Sequence, residues 1–263
     1  MSPHPDPDRA GSSNRGTMSQ LLALTAPPTP TPLEPNEQPK ALPEGQKTPP
    51  ALETLDMQAL PESPRTQLSC WDPRECVGTP HCPPRCPMFV DKEGARVRVR
   101  AFRSFDRSPL IEMYVNFDRA HVAQGIPPAT ETRIEDWLSH LLEDGYNLIA
   151  ERAGTVVGHA VYTPTSDPEP ELAVFVTPEY HDHGIGSELC KHVIAHAAAA
   201  GHDAIVLDVE RGNRRATHVY ARLGFEVVRT HGFTQEMRLE LTEAVAEQTQ
   251  RPPADRNHDK DDV

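Results

Sequence analysis

The chain has 263 residues, 28 of them proline and five cysteine, and 39 acidic against 26 basic side chains give it a formal charge of −13. That length allows one or two domains, and that charge argues against general nucleic-acid binding by electrostatics. No apolar run approaches the roughly 20 residues of a membrane span, so a cytoplasmic protein with no membrane association is expected. Lysines are few beside the arginines, and this Lys-poor, acid-rich balance is also what a protein of a high-salt cytoplasm would show, a halophilic expectation that retention of fold at molar salt would test.

Nineteen of the 28 prolines precede residue 91. Residues 1–69 combine Pro, Ser, Thr, Gln and Glu with few branched or aromatic residues, too little apolar surface to offset the entropy of ordering. They are expected to be a disordered, proline-rich arm, and the polar residues 243–263 a disordered tail. Residues 70–93 form a cysteine-bearing loop with Cys70, Cys76, Cys82 and Cys86. In a reducing compartment clustered thiols more often hold metal than form disulfides, and zinc is the metal that suits them. The separations are not the paired two-residue gaps of a zinc motif, so a packed or redox-active loop is the competing expectation.

A folded domain is expected over 94–242. Val97, Val99 and Ala101 alternate with arginines, as in a half-buried strand. Ser108-Pro109 opens a helix with Leu110, Met113, Tyr114 and Phe117 at helical spacing. After the break at Pro127-Pro128, Thr130 or Thr132 caps a second helix, whose apolar face is Ile134, Trp137, Leu138 and Leu141. Tyr146 to Arg152 and Thr155 to Thr163 are strands joined by the turn Ala153-Gly154. Leu172 to Val176 is an apolar strand that Thr177-Pro178 ends, because proline cannot donate to the ladder. A helix follows over 185–200, then a strand over 204–209, a helix from Asn213 to about Leu223, and strands at 225–228 and 234–241. The order β-α-α-β-β-β-α-β-α-β-β implies an α/β fold, a mixed sheet with helices on both faces.

One junction carries chemistry. The strand ending at Val176 runs through a short loop into Gly184-Ile-Gly186 at the start of a helix. Converging backbone N–H groups and the helix dipole make such a turn an anion site, here one for phosphate.

Residues 96–241 resemble the GNAT superfamily of N-acetyltransferases. The family's acyl-CoA loop, Gln/Arg-x-x-Gly-x-Gly/Ala, corresponds to His181-Asp-His-Gly184-Ile-Gly186. A second family pattern, Asn-x-x-Ala-x-x-x-Tyr-x-x-x-Gly-Phe, corresponds to Asn213, Ala216, Tyr220, Gly224 and Phe225. The resemblance implies a mostly antiparallel sheet in which strand 171–176 splays from strand 204–209, with the pantetheine arm in the gap and paired to Val174 and Val176. It implies that His181, His183, Gly184, Ile185 and Gly186 cradle the CoA pyrophosphate, that Asn213 helps hold the cofactor arm and that Tyr220 protonates the leaving thiolate. His181 departs from the family's Gln or Arg, and Asp182 puts a negative charge beside the expected phosphates, so either CoA affinity is lower or binding relies on Arg211, Arg214 or Arg215 and on His183.

The implied activity is transfer of an acetyl or other acyl group from acyl-CoA to an amine in a ternary complex, the acceptor being a small molecule or a protein lysine. The competing expectation is a domain that binds acyl-CoA without turnover. The attacking amine needs a general base. Glu171 is the first choice, with Glu210, Asp208 and His159 behind it, each also readable as a structural or solvated residue. Cys190 reads as a small buried apolar residue, and His192 and His196 as a solvated helix face.

Overall fold

Period-two alternation and helical stripes resolve into a single twisted sheet covered on both faces. The structure, a computed structural model, describes residues 72, 75–117 and 127–256; the arm expected over 1–69 and Cys70 lie outside the described residues. In chain order the strands are β1 (Met88–Val90), β2 (Arg96–Ala101), β3 (Tyr146–Arg152), β4 (Thr155–Thr163), β5 (Glu171–Val176), β6 (Ala204–Glu210), β7 (Glu226–His231) and β8 (Thr234–Glu240). The helices are α1 (Arg107–Val115), α2 (Glu131–Asp144), α3 (Ile185–Ala200), α4 (Arg214–Arg222) and α5 (Glu243–Gln250).

The strands lie in the order β1-β2-β3-β4-β5-β6-β8-β7. All pairs are antiparallel except β5 with β6. The expected mixed, mostly antiparallel α/β fold is the one observed. Ala153 (φ 51°) and Gly154 (φ 84°) both take the left-handed conformation, which matches the twist of the β3–β4 hairpin. β7 is the open edge; all six of its residues are exposed, and its register with β8 shifts between Val227 and Arg229.

Two cores sandwich the sheet. On one face α3 packs Ile185, Leu189 and Val193, one turn apart, against Leu148, Ile205 and Leu207. On the other, Leu110 of α1 and Trp137, Leu138 and Leu141 of α2 cover Ile149 and Val161. Each such side chain contributes about 1.5–3 kcal/mol by leaving water. α2 ends at Gly145, where a Cβ would stand 2.6 Å from the Leu141 carbonyl oxygen and from Val161 Cγ2, so only glycine lets the chain turn into β3 there.

Two expectations change at the ends of the domain. The cysteine-bearing segment is not all loop, since β1 pairs with β2 through Phe89↔Val97 and extends the sheet before residue 94. The tail is not wholly without structure either: Thr242 Oγ1 accepts from the Val245 N–H at 3.4 Å and opens α5, Val245 packs on the core, and residues 251–256 follow it.

Both ends converge on α3. Arg85 is buried and forks onto Glu188, with Nε to Oε1 at 2.7 Å and Nη2 to Oε2 at 2.9 Å, while its Nη1 donates to the Thr249 carbonyl of α5. Burial works against the Glu188 carboxylate, but the Arg85 guanidinium, with His192 and Arg256, outweighs it and holds its pKa at about 2. His192 is therefore not on a solvated face. It is 1% exposed, and burial pushes its pKa down to about 3. His196 is half-buried, its ring 5.0 Å from that of Tyr146.

Candidate active site

The site begins where the sheet stops pairing. β5 and β6 share a single register pair, Glu171↔Val206. The Val206 N–H donates to Pro170 O, and the Thr177 N–H donates to Val157 O of the opposite neighbour. Backbone groups alternate sides along a strand, so those of Val174 and Val176 point toward β6 past the last shared pair. Side chains alternate too. Leu172, Val174 and Val176 face the α3 core, whereas Ala173 and Phe175 face the α1–α2 core. The splay opens a cleft of about 1360 Å³, lined among others by Val174, Gly184, Gly186, Asp208 and Tyr220.

At one end of the cleft lies the loop expected from the sequence to bind an anion. Gly184 caps α3 with φ 86°, a left-handed conformation that costs other residues about 1–2 kcal/mol. At Gly186 a Cβ would meet only Val176 Cγ2, at 3.6 Å, so the protein itself leaves room there. Ile185 is buried in the core and anchors the turn. His181 does not aim its Nε2 at the loop's interior: that N–H donates to Val176 O at 3.0 Å and fastens the loop to β5. Asp182, at φ 67°, pairs with Arg215 Nη2 at 3.1 Å, which offsets its charge. His183 is half-buried, its Nδ1 3.7 Å from the buried Asp91.

The opposite wall is α4. Asn213 Oδ1 accepts from the Ala216 N–H at 3.1 Å, so its side-chain oxygen caps the helix. Two turns on, Tyr220 packs on the α3 core beside Phe225 and lines the cleft. Burial, and then the Cys190 thiol, push the Tyr220 phenol well above its ordinary range, so it is protonated at neutral pH. Cys190 is buried as expected, and burial pushes its thiol up to about 12.

The carboxylates fall on the other face. Glu171 shares the side of Ala173 and Phe175, and the pairing Glu171↔Val206 puts Asp208 and Glu210 on that side too. Asp208 stands opposite Glu236 on β8, and burial, then Glu236, raise its pKa, with His231 opposing. His159, by contrast, is a core residue. It is fully buried, and burial pushes its pKa down to about 3. Asn147 Nδ2 donates to Leu141 O and Gly145 O, which turns Oδ1 toward His159 Nε2 at 2.9 Å. Nε2 thus carries the proton, and Nδ1 accepts from Tyr114 Oη at 2.6 Å.

The zinc expectation at Cys70, Cys76, Cys82 and Cys86 finds no support. Among the described residues no three His, Cys, Asp or Glu side chains are grouped to hold a metal. Cys82 is exposed and its sulfur accepts from the Thr79 N–H at 3.3 Å and shares a hydrogen bond with Thr79 Oγ1 at 3.4 Å, while Cys86 is half-buried, where desolvation raises its thiol. Lys92, Arg85 and Thr249 also line the cleft, and periodicity gave no hint of them because each lies outside the helix and strand patterns that frame the site. Among the described residues no helix is long and apolar enough to cross a membrane.

Residues 110–225 match the family model of the acetyltransferase (GNAT) family. A mycothiol acetyltransferase of Propionibacterium freudenreichii subsp. shermanii is 32% identical over 141 residues, 51% of this chain and 44% of that protein. An L-methionine sulfoximine/L-methionine sulfone acetyltransferase of Pseudomonas paraeruginosa is 30% identical over 98 residues, 35% of this chain and 57% of that protein. The chain thus spans about half the length of these curated relatives. The GNAT domain of S. lividans PAT superposes with a TM-score of 0.49 at 20% identity, over 58% of this chain and 95% of that one.

Proposed function

We propose, from the match of residues 110–225 to the acetyltransferase (GNAT) family model, that the protein belongs to that family and transfers an acetyl group from acetyl-CoA to an amine by direct attack in a ternary complex. The observation that carries the reading is the one-pair junction Glu171↔Val206, because the gap beyond it runs straight into the Gly184–Gly186 turn. The pantetheine arm lies along Val174 and Val176 and hydrogen-bonds to their backbone. The pyrophosphate sits on the amides of 183–186, with the α3 dipole behind them. His181 supports the loop through Val176 O, and Asn213 shapes the α4 end through its cap.

The acceptor enters from the face of Phe175, Asp208 and Glu171, whose carboxylates favour a cationic amine. Glu171 takes the proton of the ammonium, directly or through water. The raised pKa of Asp208 supports it as the second choice for that role. The neutral amine attacks the thioester carbonyl, and a backbone N–H of Val174 to Val176 stabilises the tetrahedral oxyanion. Collapse breaks the C–S bond, and Tyr220 gives its proton to the departing thiolate. A tyrosine whose phenol is kept protonated by burial suits that step.

The names of the relatives support acetyl transfer but differ in acceptor, so the acceptor class rests on the carboxylate-lined face. The test is thiol release from acetyl-CoA against a panel of amines, amino acids and lysine peptides. Turnover with at least one amine, strongly reduced in Tyr220→Phe, supports the reading. Micromolar CoA binding with no turnover on any acceptor would replace it with a cofactor-binding domain.

A further inference from the structure

One wall of the cleft is contributed by residues that precede the family-matched segment. The turn between β1 and β2 lies against the anion loop, and the Lys92 N–H donates to His183 O at 3.1 Å. The aliphatic stem of Lys92 follows the loop as well. A Cβ placed on Gly184 would stand 3.9 Å from both Lys92 Cγ and Lys92 Cε. Lys92 is exposed and lines the cleft.

The turn that presents it is closed by hydrogen bonds. Asp91 is buried and its Oδ1 accepts from the Glu93 N–H at 3.0 Å and the Ala95 N–H at 2.7 Å. Its main chain closes the turn, with the Asp91 N–H on Ala95 O at 2.8 Å and the Gly94 N–H on Asp91 O at 3.0 Å. The Asp91 charge is answered by Arg152 Nε, 3.4 Å from Oδ2. Two of the loop's own side chains are otherwise engaged, His181 with Val176 O and Asp182 with Arg215, while His183 Nδ1 lies 3.7 Å from Asp91 Oδ2, beyond hydrogen-bond reach. A pyrophosphate seated on the Gly184 amides would carry two negative charges, and the loop itself supplies no fixed positive side chain to face them.

We propose that Lys92 binds the cofactor, its ammonium pairing with the pyrophosphate of acyl-CoA over Gly184, so that a turn outside the family segment completes the phosphate site. This rests on the acyl-CoA reading above. Lysine suits the task as a compact point charge on a flexible stem, and its backbone anchor fixes where that stem begins. Lys191 and Arg215 also line the cleft and add to the field.

Titration calorimetry on the full chain tests it, with CoA and with dephospho-CoA, which keeps the pyrophosphate and lacks the 3′-phosphate. Lys92→Gln is expected to weaken both ligands by the same factor, about tenfold, the low end for a hydrogen bond to a charged group at an exposed site. It should also flatten the salt dependence of binding, and Lys92→Arg should keep most of the affinity. An unchanged Kd for Lys92→Gln overturns the proposal, as does a loss confined to CoA, which would put the ammonium on the 3′-phosphate. A wild-type chain that binds neither ligand overturns the acyl-CoA reading itself, a result distinct from either.

Discussion

Arg85→Met removes one partner of a buried ion pair and leaves the other in place. The Arg85 side chain is 3% exposed and that of Glu188 9%, so water cannot take over the lost contacts. Two unit charges about 4 Å apart attract by about 4 kcal/mol at an effective dielectric of 20, and breaking a buried pair by removing one partner costs about 3–5 kcal/mol. The depression of the Glu188 pKa from 4.5 to about 2 corresponds to about 3 kcal/mol, the same size. At roughly 2–4 °C per kcal/mol for a domain of this length, Arg85→Met should lower Tm by about 10 °C at pH 7. The pH dependence has a definite sign. In the wild type the folded pKa of Glu188 lies below its unfolded value, so the pair's contribution is complete above about pH 4.5 and is lost as pH falls toward 2. In the variant, burial without Arg85 raises that pKa, so the deficit should narrow as pH falls from 7 toward 5. Calorimetric melts of Arg85→Met, Glu188→Leu and the double variant at both pH values measure this. The double variant should recover at least half of the single-variant loss. A Tm for Arg85→Met within 2 °C of wild type, or strictly additive losses, would refute the reasoning.

Tyr220→Phe should lower kcat by about 10²-fold or more while leaving the Kd for CoA nearly unchanged, since on the proposed mechanism it removes only the proton donor to the thiolate; steady-state rates and calorimetry separate the two. Glu171→Gln should reduce kcat/KM and abolish the acid limb of its pH profile, and survival of that limb in Glu171→Gln but not in Asp208→Asn would move the base to Asp208. Gly184→Glu adds left-handed strain of about 1–2 kcal/mol and a like charge beside the phosphates, so CoA affinity should fall by at least about tenfold; retained affinity removes the phosphate site from this turn. His159 and His192 are held near pKa 3 by burial, below their unfolded value of 6.5. The unfolded chain binds protons that the folded chain refuses, so stability should be full above pH 6.5 and decline below it by about 1.4 kcal/mol per pH unit for each histidine. Urea unfolding at pH 7.5, 6 and 5 checks the slope, and a flat profile counts against the buried neutral rings.

The parts that were legible in the sequence are those whose signal is local. The alternation at Val97 and Val99, the four-residue spacing of Ile185, Leu189 and Val193, and the glycines of the anion loop each report a constraint set within one element. Glu171 and Asp208 were recognisable as strand-end carboxylates, but that they share a face follows only from the Glu171↔Val206 register. β1 is three residues long, too short for a period to show. Arg85 finds Glu188 across 103 residues, and no local pattern encodes that pairing. His192 looked like a polar helix position because the segments that bury it come from before β2 and after β8. His159 was ambiguous for a related reason, since its neutral state depends on Tyr114 and Asn147 meeting it from two other elements.

The single backbone pair that joins β5 to β6 has a mechanical consequence. Five strands on one side and three on the other are coupled there by one rung of the ladder. A pantetheine arm hydrogen-bonded along Val174 and Val176 would act as a missing strand, tying the halves together as it binds. Occupancy and stiffness then become one variable: amide hydrogen exchange at Val174 and along β6 should slow in proportion to cofactor bound. The acceptor, arriving on the face shared by Glu171 and Asp208, would meet a finished floor only afterward, which makes cofactor-first ordered binding the expected kinetic scheme.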